Sequence, residues 1–263
     1  MNTIVFLGGG RFTAALLAGL TAANFRAKFV VHDRHPQKLR KLQKKFGVAV
    51  ELDLSSAVKR ADLLILAVRP QSVRDLIRAM PAQERTLPVL SLAAGIALES
   101  LRAWSPPRLQ WARAMPSPAC RTRHGLTALA FTVEYPRSAR HLIESLFAGV
   151  GDVLILAESQ FDTFTVLYSV SHGQHTLQAM TQAGVKLGLR RSVSERAAAH
   201  ALCESIRSLR ASDASLDDLL REAATPGGTS AAVLASLKDS GYTEMLERAL
   251  RAGVRRAKEL GKQ

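Results

Sequence analysis

Near the start of the chain, the β-branched apolar run Thr3-Ile4-Val5-Phe6-Leu7 stops abruptly at Gly8-Gly9-Gly10. Phe12, Leu16, Leu17 and Leu20 then recur at helical spacing. Strand, glycine turn and helix in this order form the setting in which a glycine pattern can serve a dinucleotide. Gly8 and Gly10 fill the first two positions of G-x-G-x-x-G, and Thr13 stands at the third. The first two glycines permit a tight turn and close approach of a pyrophosphate to the helix N-terminus. Thr13 is expected to space helix from strand slightly more than glycine does. The plainer reading is an ordinary βα turn.

Short apolar runs continue the pattern at 28–32, 49–51, 62–68, 88–92, 109–113, 127–131 and 153–156, with helical patterns between several of them. Alternation of this kind predicts a doubly wound, mainly parallel sheet over residues 1–157. From Glu158 strand signals cease. Helices are expected over about 160–187, 194–210, 216–223, 230–240 and 244–260, giving an all-α domain at 158–263. Ser192-Val193-Ser194-Glu195 supplies a helix start after a break at 184–194. The small-residue face at Ala197–Ala199 and Ala201 suits close packing between subunits.

The second strand ends in Asp33-Arg34. An acid at this place binds a ribose 2′-hydroxyl, whereas an arginine holds a 2′-phosphate. The basic surroundings favour NADP, with NAD as the alternative. A further turn, Thr225-Pro226-Gly227-Gly228-Thr229-Ser230, separates two helical patterns. Proline ends a helix, glycines admit close approach, and Thr229 and Ser230 bring free N–H groups and hydroxyls to the start of the next helix. An anion fits there, although a Ser or Thr that merely caps the helix is the simpler account.

The net charge of +14 raises the question of nucleic acid. The 36 Lys and Arg are spread along helical patterns, aromatics are 5% of residues, and neither basic cluster, 38–45 or 248–256, is interleaved with stacking rings. An anionic cofactor and substrate are the better partners for this field, and no nucleic acid is expected. Cys120 and Cys203 lie far apart and imply neither disulfide nor zinc. The chain has no signal-peptide pattern and no apolar run near the roughly 18 residues that span a bilayer. A cytoplasmic enzyme without membrane contact is expected.

Gly8-Gly9-Gly10, Ala67-Val68-Arg69-Pro70-Gln71, Ala93-Ala94-Gly95, Arg113-Ala114-Met115-Pro116 and Pro226-Gly227-Gly228-Thr229-Ser230 follow one another in an order that resembles the pyrroline-5-carboxylate reductase family. The resemblance spans essentially the whole chain. It implies a Rossmann domain followed by a helical dimerisation domain, with the active site between them. It also implies NAD(P)H-dependent reduction of a cyclic imine carboxylate to proline by a homodimer or higher homo-oligomer.

Residue by residue, the resemblance implies that Gly8, Gly10, Arg11 and Phe12 hold the pyrophosphate, while Asp33 and Arg34 are placed at the adenosine end by their position after the second strand. Ala67, Val68, Arg69 and Pro70, with Ala94 and Gly95, line the nicotinamide side, and Met115 and Pro116 lie by the substrate. Gly227, Gly228 and Thr229 receive its carboxylate, and Ser230 takes the place of a threonine that hydrogen-bonds the imine nitrogen. Three segments depart from the family pattern. Arg11-Phe12-Thr13 replaces Asn-Met-Ala, Ser117-Pro118 shortens the Met-Pro motif, and Ser169-Val170-Ser171-His172-Gly173-Gln174 replaces Gly-Ser-Gly-Pro-Ala-Tyr. His172 is a candidate proton donor to a different imine or a helix residue at a subunit contact; a His172–His175 pair lacks further zinc ligands. A reductase of another cyclic imine and a non-catalytic nucleotide-binding paralogue fit the same departures.

Overall fold

The computed structural model describes residues 2–261, so Met1, Lys262 and Gln263, the outermost residues of the two expected domains, lie outside it. Among the described residues eight strands form one sheet: β1 Thr3–Leu7, β2 Lys28–His32, β3 Ala49–Glu51, β4 Leu63–Leu66, β5 Leu87–Ser91, β6 Leu109–Pro116, β7 Gly125–Phe131 and β8 Gly151–Ile155. Their order is β3-β2-β1-β4-β5-β6-β7-β8, and every neighbouring pair is parallel except β6 with β7. The order reverses between β1 and β4, which is where an open sheet of this kind has its crevice.

Six helices belong with this sheet: α1 Arg11–Ala22, α2 Pro36–Phe46, α3 Leu54–Lys59, α4 Val73–Ala79, α5 Leu98–Trp104 and α6 Arg137–Ala148. They cover both faces because the strands are apolar on both. Ile4 and Phe6 of β1 join one core cluster with Leu16, Leu20, Ile143 and Phe147. Val5 and Leu7 point the other way, into a second cluster with Val58, Ile77, Trp111 and Phe161. Side chains of a strand alternate between faces, so a run without polar interruption calls for cover on each side.

The remaining helices are α7 Glu158–Leu167, α8 Val170–Lys186, α9 Arg191–Ala211, α10 Leu216–Ala223, α11 Thr229–Asp239 and α12 Tyr242–Leu260. By contact the chain divides at Val166/Leu167, and the last turns of α12, from Gly253, belong with the sheet. The division therefore differs from a cut after residue 157, since α7 buries Phe161 in the second core cluster of the sheet. In the unit 167–252, only Thr181, Ser194 and Ala198 are buried among the described residues.

Several boundaries correct the sequence expectation. The helix expected at 160–187 is two helices, with Ser169 in an extended conformation at the start of α8. No proline or glycine marks that break. The 184–194 break is shorter than expected, since α8 runs to Lys186 and α9 begins at Arg191. β4 stops at Leu66, leaving Ala67 and Val68 beyond the strand, and β6 extends through Met115 and Pro116 to pair with β7.

Candidate active site

The ends of the parallel strands place most of the expected cofactor residues on one edge of the sheet. Gly8 follows β1 with φ +114°, and its N–H donates to the His32 carbonyl at 2.8 Å. A Cβ at this position would lie 2.5 Å from the Ala67 carbonyl oxygen, so only glycine fits. Gly10 is the N-cap of α1, and the space where its Cβ would project is open. The first intrahelical bond runs from the Ala14 N–H to the Gly10 carbonyl. The N–H groups of Arg11, Phe12 and Thr13 thus have no intrahelical acceptor, and the positive end of a helix left in this state is suited to an anion. Thr13 does not simply widen the packing. Fully buried, it donates from its hydroxyl to the Gly8 carbonyl at 2.5 Å and braces the turn.

Asp33 and Arg34 part company. The Asp33 side chain is buried, and its Oδ2 accepts from the Gly9 N–H at 2.8 Å and from Lys38 Nζ at 3.4 Å. Oδ1 accepts from the His35 N–H at 2.9 Å and lies 2.8 Å from His35 Nδ1. An ionised carboxylate only accepts, so Nδ1 carries the proton there. Burial pushes the Asp33 carboxyl up. Bonds from Gly9 and from the side chain and N–H of His35, with the charge of Lys38, outweigh burial and hold it below the usual carboxylate range. Four donors reach its two oxygens, so a ribose diol would have to compete with the chain's own hydrogen bonds. Arg34, next in sequence, is exposed.

Farther along the same edge, Ala67 and Val68 follow β4, with Arg69 exposed and Pro70 opening a short 3-10 turn over Pro70–Ser72. The Ala67 N–H donates to the Leu7 carbonyl at 2.8 Å. Ala94 and Gly95 follow β5. The small size of Gly95 is used by the chain itself, because at φ +78° a Cβ there would lie 2.3 Å from the Ala257 carbonyl of α12. Met115 and Pro116 end β6 on the same edge. Two residues earlier, Arg113 is almost fully buried. It pairs with Glu158 Oε1 at 2.7 Å and Asp162 Oδ1 at 3.4 Å and lies 4.2 Å from the centre of the Phe161 ring.

The expected substrate residues Gly227, Gly228, Thr229 and Ser230 belong to the other unit. The Gly228 N–H donates to the Thr225 carbonyl at 2.9 Å with Gly227 at φ +76°, the arrangement of a type II turn with proline at its second position. Gly228 caps α11 with no side-chain hydrogen bond, so the capping role open to Thr229 and Ser230 is not taken. The first intrahelical bond, Ala232 N–H to Gly228 carbonyl, leaves the N–H groups of Thr229, Ser230 and Ala231 without intrahelical acceptors. Thr229 and Ser230 are exposed. His172 and His175 are exposed in the first turns of α8, where the His172 N–H donates to the Ser169 carbonyl.

Three features had no readable signal in the sequence: the bond from Gly9 to Asp33, the Arg113–Glu158–Asp162 cluster, and the closure of α12 on Gly95. Their partners lie 24 residues apart for Asp33 with Gly9, and 45 and 49 apart for Arg113 with its carboxylates.

A doubly wound sheet with a buried glycine turn and an uncapped helix start at its crevice defines a dinucleotide-binding protein of the Rossmann class. Residues 3–95 match the family model for NADP oxidoreductase, coenzyme F420-dependent, and 158–260 match pyrroline-5-carboxylate reductase dimerisation. A pyrroline-5-carboxylate reductase of Pseudomonas aeruginosa is 30% identical over 99% of this chain and 97% of its own. One from Corynebacterium melassecola is 28% identical over the whole of both chains. The solved structure of a pyrroline-5-carboxylate reductase from Coxiella burnetii superimposes with a TM-score of 0.88 at 26% identity, covering 100% of this chain and 99% of that one. The chain belongs to the pyrroline-5-carboxylate reductase family.

Proposed function

We propose that the chain reduces the C=N bond of pyrroline-5-carboxylate to give proline, using NADPH in preference to NADH. One observation carries the reading: a chain that matches 97% of a pyrroline-5-carboxylate reductase keeps an uncapped, glycine-entered helix start in each unit, α1 for the pyrophosphate and α11 for the substrate carboxylate. The residues present fit a dinucleotide, since the position beside Gly10 is open and three N–H groups converge on it.

When bound, the dinucleotide supplies the hydride. The chain binds and orients. Arg11, Phe12 and Thr13 hold the pyrophosphate on their N–H groups, and Arg34 receives the 2′-phosphate, while the Asp33 carboxylate is turned inward onto Gly9, His35 and Lys38. Ala67, Val68, Arg69, Pro70, Ala94 and Gly95 border the nicotinamide side, and Met115 and Pro116 the substrate. The Gly228 N–H is held by the Thr225 carbonyl, so the carboxylate falls to the N–H groups of Thr229 and Ser230; Gly227 and Gly228 shape the turn, and the Ser230 hydroxyl donates to the imine nitrogen. A protonated imine needs only polarisation and alignment, so positioning and electrostatics suffice. The exposed His172 in the altered 169–174 segment favours one second reading, a reductase of a different cyclic imine on the same machinery.

The helical region 158–263 is assigned to subunit contact. Within 167–252, Leu167, Leu187, Ile206, Leu216 and Val233 are each more than half exposed, a surface that a second copy covers. The +14 charge serves anionic ligands rather than nucleic acid. Among the described residues no helix is long and apolar enough to cross a membrane.

The test is oxidation of NADPH and NADH by the purified protein with pyrroline-5-carboxylate, beside Arg34→Ala. Turnover with NADPH preferred, and that preference reduced about tenfold or more in the variant, is expected for a charge-paired phosphate. Absence of turnover while NADPH still binds would move the assignment to another imine.

A further inference from the structure

Resting on the reductase reading, we propose that Glu158 and Arg113 are positioning residues that fix the nicotinamide-side turn and the substrate-side end of β6 as one body. Arg113 sits in β6 between Ser91 of β5 and Ala130 of β7, facing the core cluster that contains Trp111 and Phe161. A cation in such a place is expensive, and an apolar side chain would fill the space at less cost. The chain keeps the cation and surrounds it with two carboxylates and the face of Phe161. Even so, Arg113 Nε and Glu158 Oε2 are buried without a hydrogen-bond partner. Packing alone does not account for this arrangement.

What the pair does can be read from its other contact. Glu158 Oε1, which accepts from Arg113, also accepts from the Leu98 N–H at 2.9 Å. Leu98 is the first residue of α5, whose N-cap, Ala97, has no side chain to cap it. Glu158 therefore caps α5 from 60 residues away. Ala94 and Gly95 lie four and three residues before Leu98, and Met115 and Pro116 lie two and three residues beyond Arg113. One oxygen thus ties together the two chain segments assigned to nicotinamide and substrate, while touching neither. Most of the dinucleotide's affinity arises elsewhere, at the glycine turn and Arg34. Loosening the clasp should misplace the reacting ends without releasing the cofactor.

The experiment compares the wild-type protein with Glu158→Ala, which removes both bonds, and Glu158→Gln, which keeps the one oxygen that accepts from both donors. NADPH affinity is read by fluorescence, kcat by turnover, and amide hydrogen exchange over residues 93–98 with NADPH bound. For Glu158→Ala, kcat falls about tenfold or more while the NADPH Kd changes less than about twofold, the pattern of remote misplacement. Exchange over 93–98 accelerates, and Glu158→Gln recovers most of both losses. Wild-type kcat in Glu158→Ala overturns the proposal, as does a loss of kcat and NADPH affinity in step with falling thermal stability. If the wild-type protein has no activity on pyrroline-5-carboxylate, the reductase reading fails alone. Exchange then decides the clasp: acceleration over 93–98 upholds it, and unchanged exchange overturns it.

Discussion

Two turns deliver the chain into uncapped helix starts, Gly8-Gly9-Gly10 before α1 and Pro226-Gly227-Gly228 before α11, and they use glycine for different reasons. Around Gly8 the fold itself is tight: backbone of Ala67 fills the side where a side chain would stand, Thr13 bonds the Gly8 carbonyl, and Asp33 bonds the Gly9 N–H. At Gly227 a Cβ would meet nothing within 4 Å, and glycine is required only by a φ of +76°. The first turn is a packed part of the core. The second stands open, with no atom within 4 Å of the place where a Cβ on Gly227 would project. A glycine motif alone does not distinguish the two, although they differ in what a substitution costs.

The largest effect separates them directly. Gly8→Ala combines a forbidden φ with a collision against backbone, so a loss of about 3 kcal/mol or more is expected, together with dinucleotide binding. Urea unfolding measures it, and a variant within about 1 kcal/mol of wild type would show that the turn yields, against its rigid packing. Next comes Ser230→Ala. The hydroxyl is exposed and caps nothing, so stability should hold while kcat drops on the order of 10²-fold, the size of one lost donor to a reacting atom. Equal losses of kcat and stability would instead make Ser230 a structural residue. Gly227→Ala should cost about 1–2 kcal/mol from its φ alone, with the fold intact and KM for the imine carboxylate raised. If it proves as damaging as Gly8→Ala, the contrast between the turns is lost.

The contrast also marks what could be read beforehand. Strand and helix periodicity, the glycine turn at 8–10 and the turn at 225–230 are written in neighbouring residues, so the doubly wound sheet and the helical region were both legible. The break at Tyr168–Ser169 was not, because it carries no proline or glycine and is made by the extended backbone of Ser169. Site chemistry divides in the same way. The place of Asp33 and Arg34 after β2 was legible, but not that the Asp33 carboxylate accepts from the Gly9 N–H, 24 residues earlier, as well as from its neighbours His35 and Lys38. Glu158 is joined to Arg113 and Leu98 only by tertiary approach, at separations where no spacing rule applies.

Asp33 gives the smallest effect and the sharpest distinction, since it ties down the first turn and no corresponding side chain caps the second. Its folded carboxyl lies below the ordinary value of 3.8, despite burial, because the Gly9 N–H, His35 and Lys38 favour the charged form. A group with a depressed folded pKa stabilises the fold above its unfolded pKa, and that contribution fades as pH falls through the folded one. The stability difference between wild type and Asp33→Asn should therefore be constant from neutral pH down to about 5, then shrink below about 4 as the wild-type carboxylate takes up its proton. A control in Asp218, whose carboxylate is also lowered but is exposed in the capping box of α10, separates turn from general acid loss. Asp218→Asn should leave the dinucleotide affinity at neutral pH unchanged, whereas Asp33→Asn should weaken it, since only Asp33 holds the N–H of Gly9 in place. If the two variants bind alike, the glycine turn keeps its shape by backbone packing against Ala67 alone, and the buried carboxylate contributes stability but no ligand geometry.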